Sequence, residues 1–211
     1  MKTPLASTDI GLGLLERQQA SRLTADQAAI LSDLRKDHQR LVRIVSELLD
    51  MAQVETGRVR VEVGEHPLEA IVQEAVEAMR ATAAAKRIRM DVRLERPKMS
   101  VKADADKAIW SLINLLSNAL RHSPDRSTVT ISSTVEGTGA LLAVADQGPG
   151  LTDEQRAHLF EPFEPHAVGG TGLGLSISRD FMRAMGGDIA LSSTSPQGSM
   201  FTIRFAGPSK S

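Results

Sequence analysis

Leucines at heptad spacing dominate the first quarter of the chain. Leu34, Leu41 and Leu48 repeat every seven residues, with Ile44, Val45 and Met51 filling the adjoining stripe. Upstream, Leu5 and Leu12 are seven apart, as are Thr8 and Leu15. This spacing places one apolar seam on each of two helices, as in a coiled coil or four-helix bundle. Residues 21–23 are the expected turn, and Thr24 with Gln27 forms a capping box that opens the second helix. A hairpin of two such helices cannot bury its seam alone, so pairing of two copies into a four-helix bundle is the natural solution. Gly11 and Gly13 each cost about 1 kcal/mol relative to alanine within a helix, so the first helix is expected to bend or fray there.

From Gly57 onward the texture changes to alternating strands and helices. Strands are predicted at 58–63, 88–94, 128–135, 141–145, 188–193 and 199–205. Helices are predicted at 68–86, at 104–122 and over the stretch ending near 185. A Gly-rich segment spans 148–174. That mixture predicts an α/β sandwich, one mixed sheet covered by helices on one face. The whole chain is therefore expected to be α+β, with a helical hairpin over 1–56 and a sandwich domain over 57–211. The last residues, 208–211, are expected to be loose.

Composition narrows the function. With 41% hydrophobic and 24% charged residues, collagen-like, mucin-like and largely disordered chains are excluded. Lysine and arginine total 25 against 26 aspartates and glutamates, a net charge of -1 without blocks of one sign. Electrostatic attraction to nucleic acid is thus absent, and no nucleic-acid partner is expected. Zero cysteines exclude disulfides, thiolate metal sites and cysteine nucleophiles. No apolar run approaches the roughly 18–20 residues needed to span a bilayer, and no secretory signal pattern is present. The expected location is cytoplasmic, with membrane attachment only through segments outside this sequence.

Three constellations carry candidate chemistry. Asn114, Asn118 and Arg121 share one helical face. Amide oxygens suit a hard cation such as Mg²⁺, and an arginine one turn on can meet a phosphate. Two asparagines that merely hydrogen-bond neighbouring loops are the simpler alternative. Asp146, Gly148 and Gly150 follow the strand at 141–145. A carboxylate there can accept a hydrogen bond from an exocyclic amine, while glycine lets the backbone approach a flat ring; an ordinary Asp-Gly turn explains the same residues. Gly169, Gly170, Thr171, Gly172, Leu173, Gly174 and Leu175 open a helix. They offer a nest of N–H groups for phosphate, or alternatively a flexible hinge. Neither a Walker nor a Rossmann pattern fits this stretch.

In this order the constellations, with Phe160-Glu-Pro-Phe163 between the second and third, resemble the N box, glycine boxes and F box of sensor histidine kinases. Asp104 sits where that family usually has an aspartate, and Gly198-Ser199-Met200-Phe201 looks like its last glycine turn. The resemblance implies the ATP-binding fold shared with gyrase, a heat-shock chaperone and the mismatch-repair ATPases. It further implies that Asp146 reads the adenine amine and that Asn114 and Asn118 hold Mg²⁺. Arg121 would touch phosphate, and His122 would lie beside the base. Gly148, Gly150, Gly170, Thr171, Gly172, Leu173, Gly174, Leu175 and Ser199 would complete the ATP contacts. Phe160 and Phe163 would anchor the base of the lid, or simply pack in the core.

Met1-Lys2-Thr3-Pro4-Leu5 resembles the tail of the phosphoacceptor motif His-Glu-x-Lys/Arg-Thr-Pro-Leu, and 37–57 resembles the second helix of the dimerisation hairpin. By that resemblance the acceptor histidine would fall two positions before Met1, so this sequence reads as part of a longer sensor, unable to phosphorylate itself. Thr3 would hold the position that often supports phosphatase activity. A response-regulator receiver domain and a second copy of the hairpin would be its partners. One departure stands out: only residues 164–169 separate Phe163 from Gly170, and none is Lys or Arg. A degenerate, non-catalytic scaffold that binds a regulator is the alternative this short lid favours. An ATPase or serine kinase of the same superfamily is a third reading, opposed by the hairpin and its Lys-Thr-Pro-Leu.

Overall fold

A computed structural model describes residues 61–162 and 172–208, and from the N-terminal part residues 8, 11, 13–15, 23–24, 26–35, 37–38, 41–42 and 45. The chain divides into two compact units, Met1–Ala52 and Gln53–Ser211.

In the first unit every described residue at 8, 11, 13–15, 26–35, 37–38, 41–42 and 45 is helical, Gly11 and Gly13 included. The predicted capping box is present: Gln27 N–H donates to Thr24 Oγ1 at 3.3 Å, and Thr24 N–H donates to Gln27 Oε1 at 3.0 Å. Leu34 and Leu41 are 53% and 54% exposed, so the unit leaves that part of its seam uncovered. Leu5, Leu12, Ile44, Leu48 and Met51 lie outside the described residues.

The second unit runs β1 (Gly64–Pro67), α1 (Leu68–Ala85), β2 (Arg89–Leu94), β3 (Ser100–Ala103), α2 (Ala105–His122), β4 (Thr128–Glu136), β5 (Gly139–Ala145), α3 (Asp153–Ala157), α4 (Gly174–Ala184), β6 (Asp188–Ser195) and β7 (Gly198–Phe205). Five strands form a mixed sheet in the order β2-β4-β5-β7-β6, with β2 parallel to β4 and the other pairs antiparallel. Strands β1 and β3 make a separate antiparallel pair. Along β4, β5 and β7 the buried residues alternate, with Val129, Ile131, Ala140, Leu142, Val144, Phe201, Ile203 and Phe205 on one face. The helices cover that face. Helix α1 supplies Leu68, Ile71, Val72, Ala75 and Met79 to the core, and α4 supplies Ile177, Phe181 and Met182.

Three differences from the expectation have physical causes. The first strand is Gly64–Pro67 rather than 58–63: residues 61–63 are not strand, and 58–60 lie outside the described residues. Strand β3 has only four residues, too short for alternation to stand out. Helix α3, inside the Gly-rich stretch, has five residues and buries none of them; its signal is the capping box of Thr152 and Gln155 rather than any periodicity.

Candidate functional site

Helix α2 is set by its buried stripe, Ala108, Ser111, Leu112, Leu115, Leu116, Ala119 and Leu120. That 3.6-residue period turns Asn114, Asn118 and Arg121 onto an adjoining, half-buried to exposed face. Asp104 starts the helix: its carboxylate accepts from Lys107 N–H at 3.2 Å, Glu62 N–H at 3.0 Å and the Lys107 ammonium at 2.9 Å. Burial alone raises the Asp104 carboxyl, but these donors outweigh it and hold it below the usual range. Asn114 faces α4, its amide nitrogen donating to Ser178 Oγ at 3.2 Å and to Gly174 O at 3.5 Å. One turn on, Asn118 Oδ1 accepts from the Arg121 guanidinium.

The far end of α2 is clamped by a residue with no motif of its own. Lys86, directly after α1, donates to the carbonyls of Leu120, Arg121 and Ser123 at 2.8, 2.9 and 2.9 Å. A cation there satisfies the orphan C-terminal carbonyls and complements the helix dipole. Its charge also reaches His122. His122 is exposed; partial loss of hydration lowers its pKa most, Arg121 and Lys86 lower it further, and Asp146 opposes them.

Asp146 lies where β5 ends and is locked to the β6–β7 hairpin. Its N–H donates to Ser199 O at 2.9 Å. Its Oδ1 accepts from Gly148 N–H at 2.8 Å and Ser199 N–H at 3.2 Å. Gly198 makes this approach possible: with φ at 143°, a Cβ there would sit 2.0 Å from Asp146 O. Ser199 Oγ lies 3.0 Å from Thr194 Oγ1, which also accepts from Leu151 N–H at 2.9 Å. Asp146 Oδ2 has no hydrogen-bond partner among the described residues. On the other side, Gly148 packs on α2, a Cβ at that position falling 3.0 Å from His122 O.

The structure thus gathers Asn118, Arg121, His122, Asp146, Gly148 and Ser199 around the C-terminal end of α2, and Asn114 against Gly174. Gly150 meets the β6–β7 turn near Ser195. Gly172 takes φ 73° just before α4, Leu173 is buried and Leu175 half-buried. Thr3, Phe163, Gly170 and Thr171 lie outside the described residues. Trp110 packs edge-on to Phe181 with ring centroids 5.4 Å apart, a packing contact. His158 lies 2.8 Å from Glu161. Lys86 and Thr194 were not singled out from sequence. The partners of Lys86 lie 34 to 37 residues away, so no local pattern announces it.

These groups fit a nucleotide. Asp146 keeps one carboxylate oxygen available for an amine while its other oxygen is fixed by two backbone donors. Among the described residues no cluster of three or more His, Asp or Glu could hold a metal ion, so amide oxygens and ligand phosphates would have to supply the coordination of Mg²⁺. Among the described residues no helix is long and apolar enough to cross a membrane.

Comparison with known proteins gives the family. Residues 103–208, just over half of the chain, match the family described as histidine kinase-, DNA gyrase B-, and HSP90-like ATPase. The circadian input-output histidine kinase CikA of Synechococcus elongatus is 29% identical over 212 residues, covering 96% of this chain and 28% of that protein. The sensor histidine kinase GlrK of Escherichia coli K12 is 32% identical over 209 residues, covering 96% of this chain and 43% of that protein. The chain therefore spans less than half the length of either relative. Full-length ShkA, solved in complex with AMPPNP, superposes with a TM-score of 0.77 at 25% identity, over 99% of this chain and 47% of that one. The chain belongs to the family of histidine kinase-, DNA gyrase B- and HSP90-like ATPases, and the relatives it matches within that family are sensor histidine kinases.

Proposed function

We propose that this chain is the catalytic core of a two-component sensor histidine kinase. It binds Mg-ATP, passes the γ-phosphoryl group to a histidine nitrogen on the helical hairpin, with the bond to ADP breaking, and delivers it to an aspartate of a response-regulator receiver domain. Residues 1–56 form the dimerisation and phosphotransfer hairpin, and 57–211 the ATP-binding domain. The observation that carries this reading is Asp146, held at Oδ1 by Gly148 and Ser199 and left with Oδ2 as an acceptor for the adenine amine.

The remaining roles follow the resemblance of the motifs to sensor histidine kinases. His122 lies beside the base and is kept neutral by its surroundings. Gly148 and Gly150 let the backbone approach the ring. Asn118 offers the metal its amide oxygen, already facing a cationic donor; Asn114 shares the face, with its amide braced on α4. Arg121 meets phosphate, and Gly170, Thr171, Gly172, Leu173, Gly174 and Leu175 bring N–H groups and the N-terminal dipole of α4 to the phosphates. Bound Mg²⁺ neutralises charge developing on the phosphate oxygens. Thr3 supports dephosphorylation of the partner regulator. The domain works in the cytoplasm as a dimer.

The test is to place His-Glu before Met1, completing the motif, and incubate the protein with γ-labelled ATP and Mg²⁺. Acid-labile, base-stable label that transfers to a receiver domain is the expected result. Acid-stable label on serine would contradict it. The absence of Lys or Arg from 164–169 favours one other reading, a scaffold that binds a regulator without nucleotide. Regulator binding by a chain that takes up no ATP would establish that reading.

A further inference from the structure

The carboxylate that carries the nucleotide reading has a hydroxyl beside it. Ser199 of β7 is only 7% exposed and meets Asp146 twice through its backbone. Its N–H donates to Asp146 Oδ1 at 3.2 Å, and its carbonyl accepts from Asp146 N–H at 2.9 Å. The backbone donor of Ser199 is thus used, and its hydroxyl is what it can still offer a ligand. Ser199 and the core residue Phe201 stand two apart on β7, so both face the helix-covered side of the sheet.

Thr194 of β6 stands opposite Ser199 in the antiparallel register. Its Oγ1 lies 3.0 Å from Ser199 Oγ and accepts from Leu151 N–H at 2.9 Å. A Cβ on Gly150 would fall 3.0 Å from the same oxygen, so the loop after β5 is pressed onto Thr194. A hydroxyl carries one proton. Among the described residues, Ser199 Oγ is the acceptor within reach of the Thr194 proton. Donation in the reverse direction would leave half-buried Thr194 with a proton and no acceptor, the costlier arrangement. With Thr194 donating, the Ser199 proton is left over. Asp146 Oδ2 and that proton then set an acceptor next to a donor. Adenine presents the complement, an amine that donates beside a ring nitrogen, N1, that accepts. Guanine presents a carbonyl and an N–H there instead.

We propose that Thr194 is a positioning residue for base selection, acting by donating to Ser199 Oγ and so turning the Ser199 proton toward adenine N1. This rests on the nucleotide reading above and gives Thr194 no contact with the base.

The experiment measures calorimetric affinities of the full 211-residue chain for ADP and for 1-deaza-ADP, in which a C–H replaces ring nitrogen N1. The unsubstituted chain should prefer ADP about fivefold, the scale of one neutral hydrogen bond. Ser199→Ala and Thr194→Val should each abolish that preference, weakening ADP while 1-deaza-ADP stays within about twofold. Thr194→Ser keeps the hydroxyl and should retain the preference. A preference that persists in Thr194→Val would overturn the proposal. So would an equal loss of both ligands, which marks loosening of the loop at Leu151. Thr194→Ala is read the same way should Thr194→Val not fold. Equal binding of the two ligands by the unsubstituted chain would sink this inference and leave the nucleotide reading standing. If that chain binds neither, the nucleotide reading itself fails, and the inference falls with it.

Discussion

Single residues decide the site. Lys86 satisfies three carbonyls at the end of α2, and replacing it with methionine removes that cation while keeping the stem. Lys86→Met should cost about 1–2 kcal/mol in denaturant unfolding. It should also raise the His122 pKa, read by NMR titration of the ring, because one of the charges that depresses it is gone. An unmoved His122 titration would show that Lys86 acts on the backbone alone. The sign of the His122 effect is fixed by its lowered pKa. The unfolded chain binds its proton first, so stability is full above about pH 6.5 and falls as pH drops through that value. Residues defined by motif order, such as Asp146, Asn118 and Gly148, were legible in sequence because their spacing is itself the signal. Lys86 and the stack of Arg179 on the Phe160 ring were not, because both depend on where distant elements meet.

At the scale of elements, α2 carries the most. Its stripe of Ala108, Leu112, Leu115, Leu116 and Leu120 made the helix legible, and the same period dictates which face Asn114 and Asn118 occupy. Its start depends on Asp104, only 6% exposed, with acceptor bonds to Glu62 and Lys107. Asp104→Ala should destabilise the ATP-binding unit by about 2 kcal/mol, the cap plus an orphaned donor. Since its pKa is lowered on folding, the contribution of Asp104 is present at neutral pH and is lost as pH falls below the ordinary carboxylate range. Thermal unfolding of wild type and Asp104→Ala should therefore converge in acid; a gap that stays constant would contradict the charge-based origin. Strand β3 and helix α3 escaped the pattern because four and five residues are too few to show a period.

For the whole molecule, the change of texture near Gly57 predicts a boundary between 56 and 57, whereas the compact units are Met1–Ala52 and Gln53–Ser211. The exposed heptad positions Leu34 and Leu41 call for a partner, and sedimentation at on the order of tens of micromolar should find a dimer. Leu34→Glu with Leu41→Glu should give a monomer, and a monomeric unsubstituted chain would remove the dimer from the reading. The central claim is that Asp146 marks a live nucleotide site. Its most direct measurement is calorimetry with a non-hydrolysable ATP analogue and Mg²⁺, comparing the unsubstituted chain with Asp146→Asn. Asparagine can keep the two backbone bonds at Oδ1 but turns an N–H donor toward the adenine amine. Affinity should therefore fall by about tenfold or more while the melting temperature stays nearly unchanged. Equal affinity in the two proteins, or no binding by either, would contradict the assignment of this pocket to ATP.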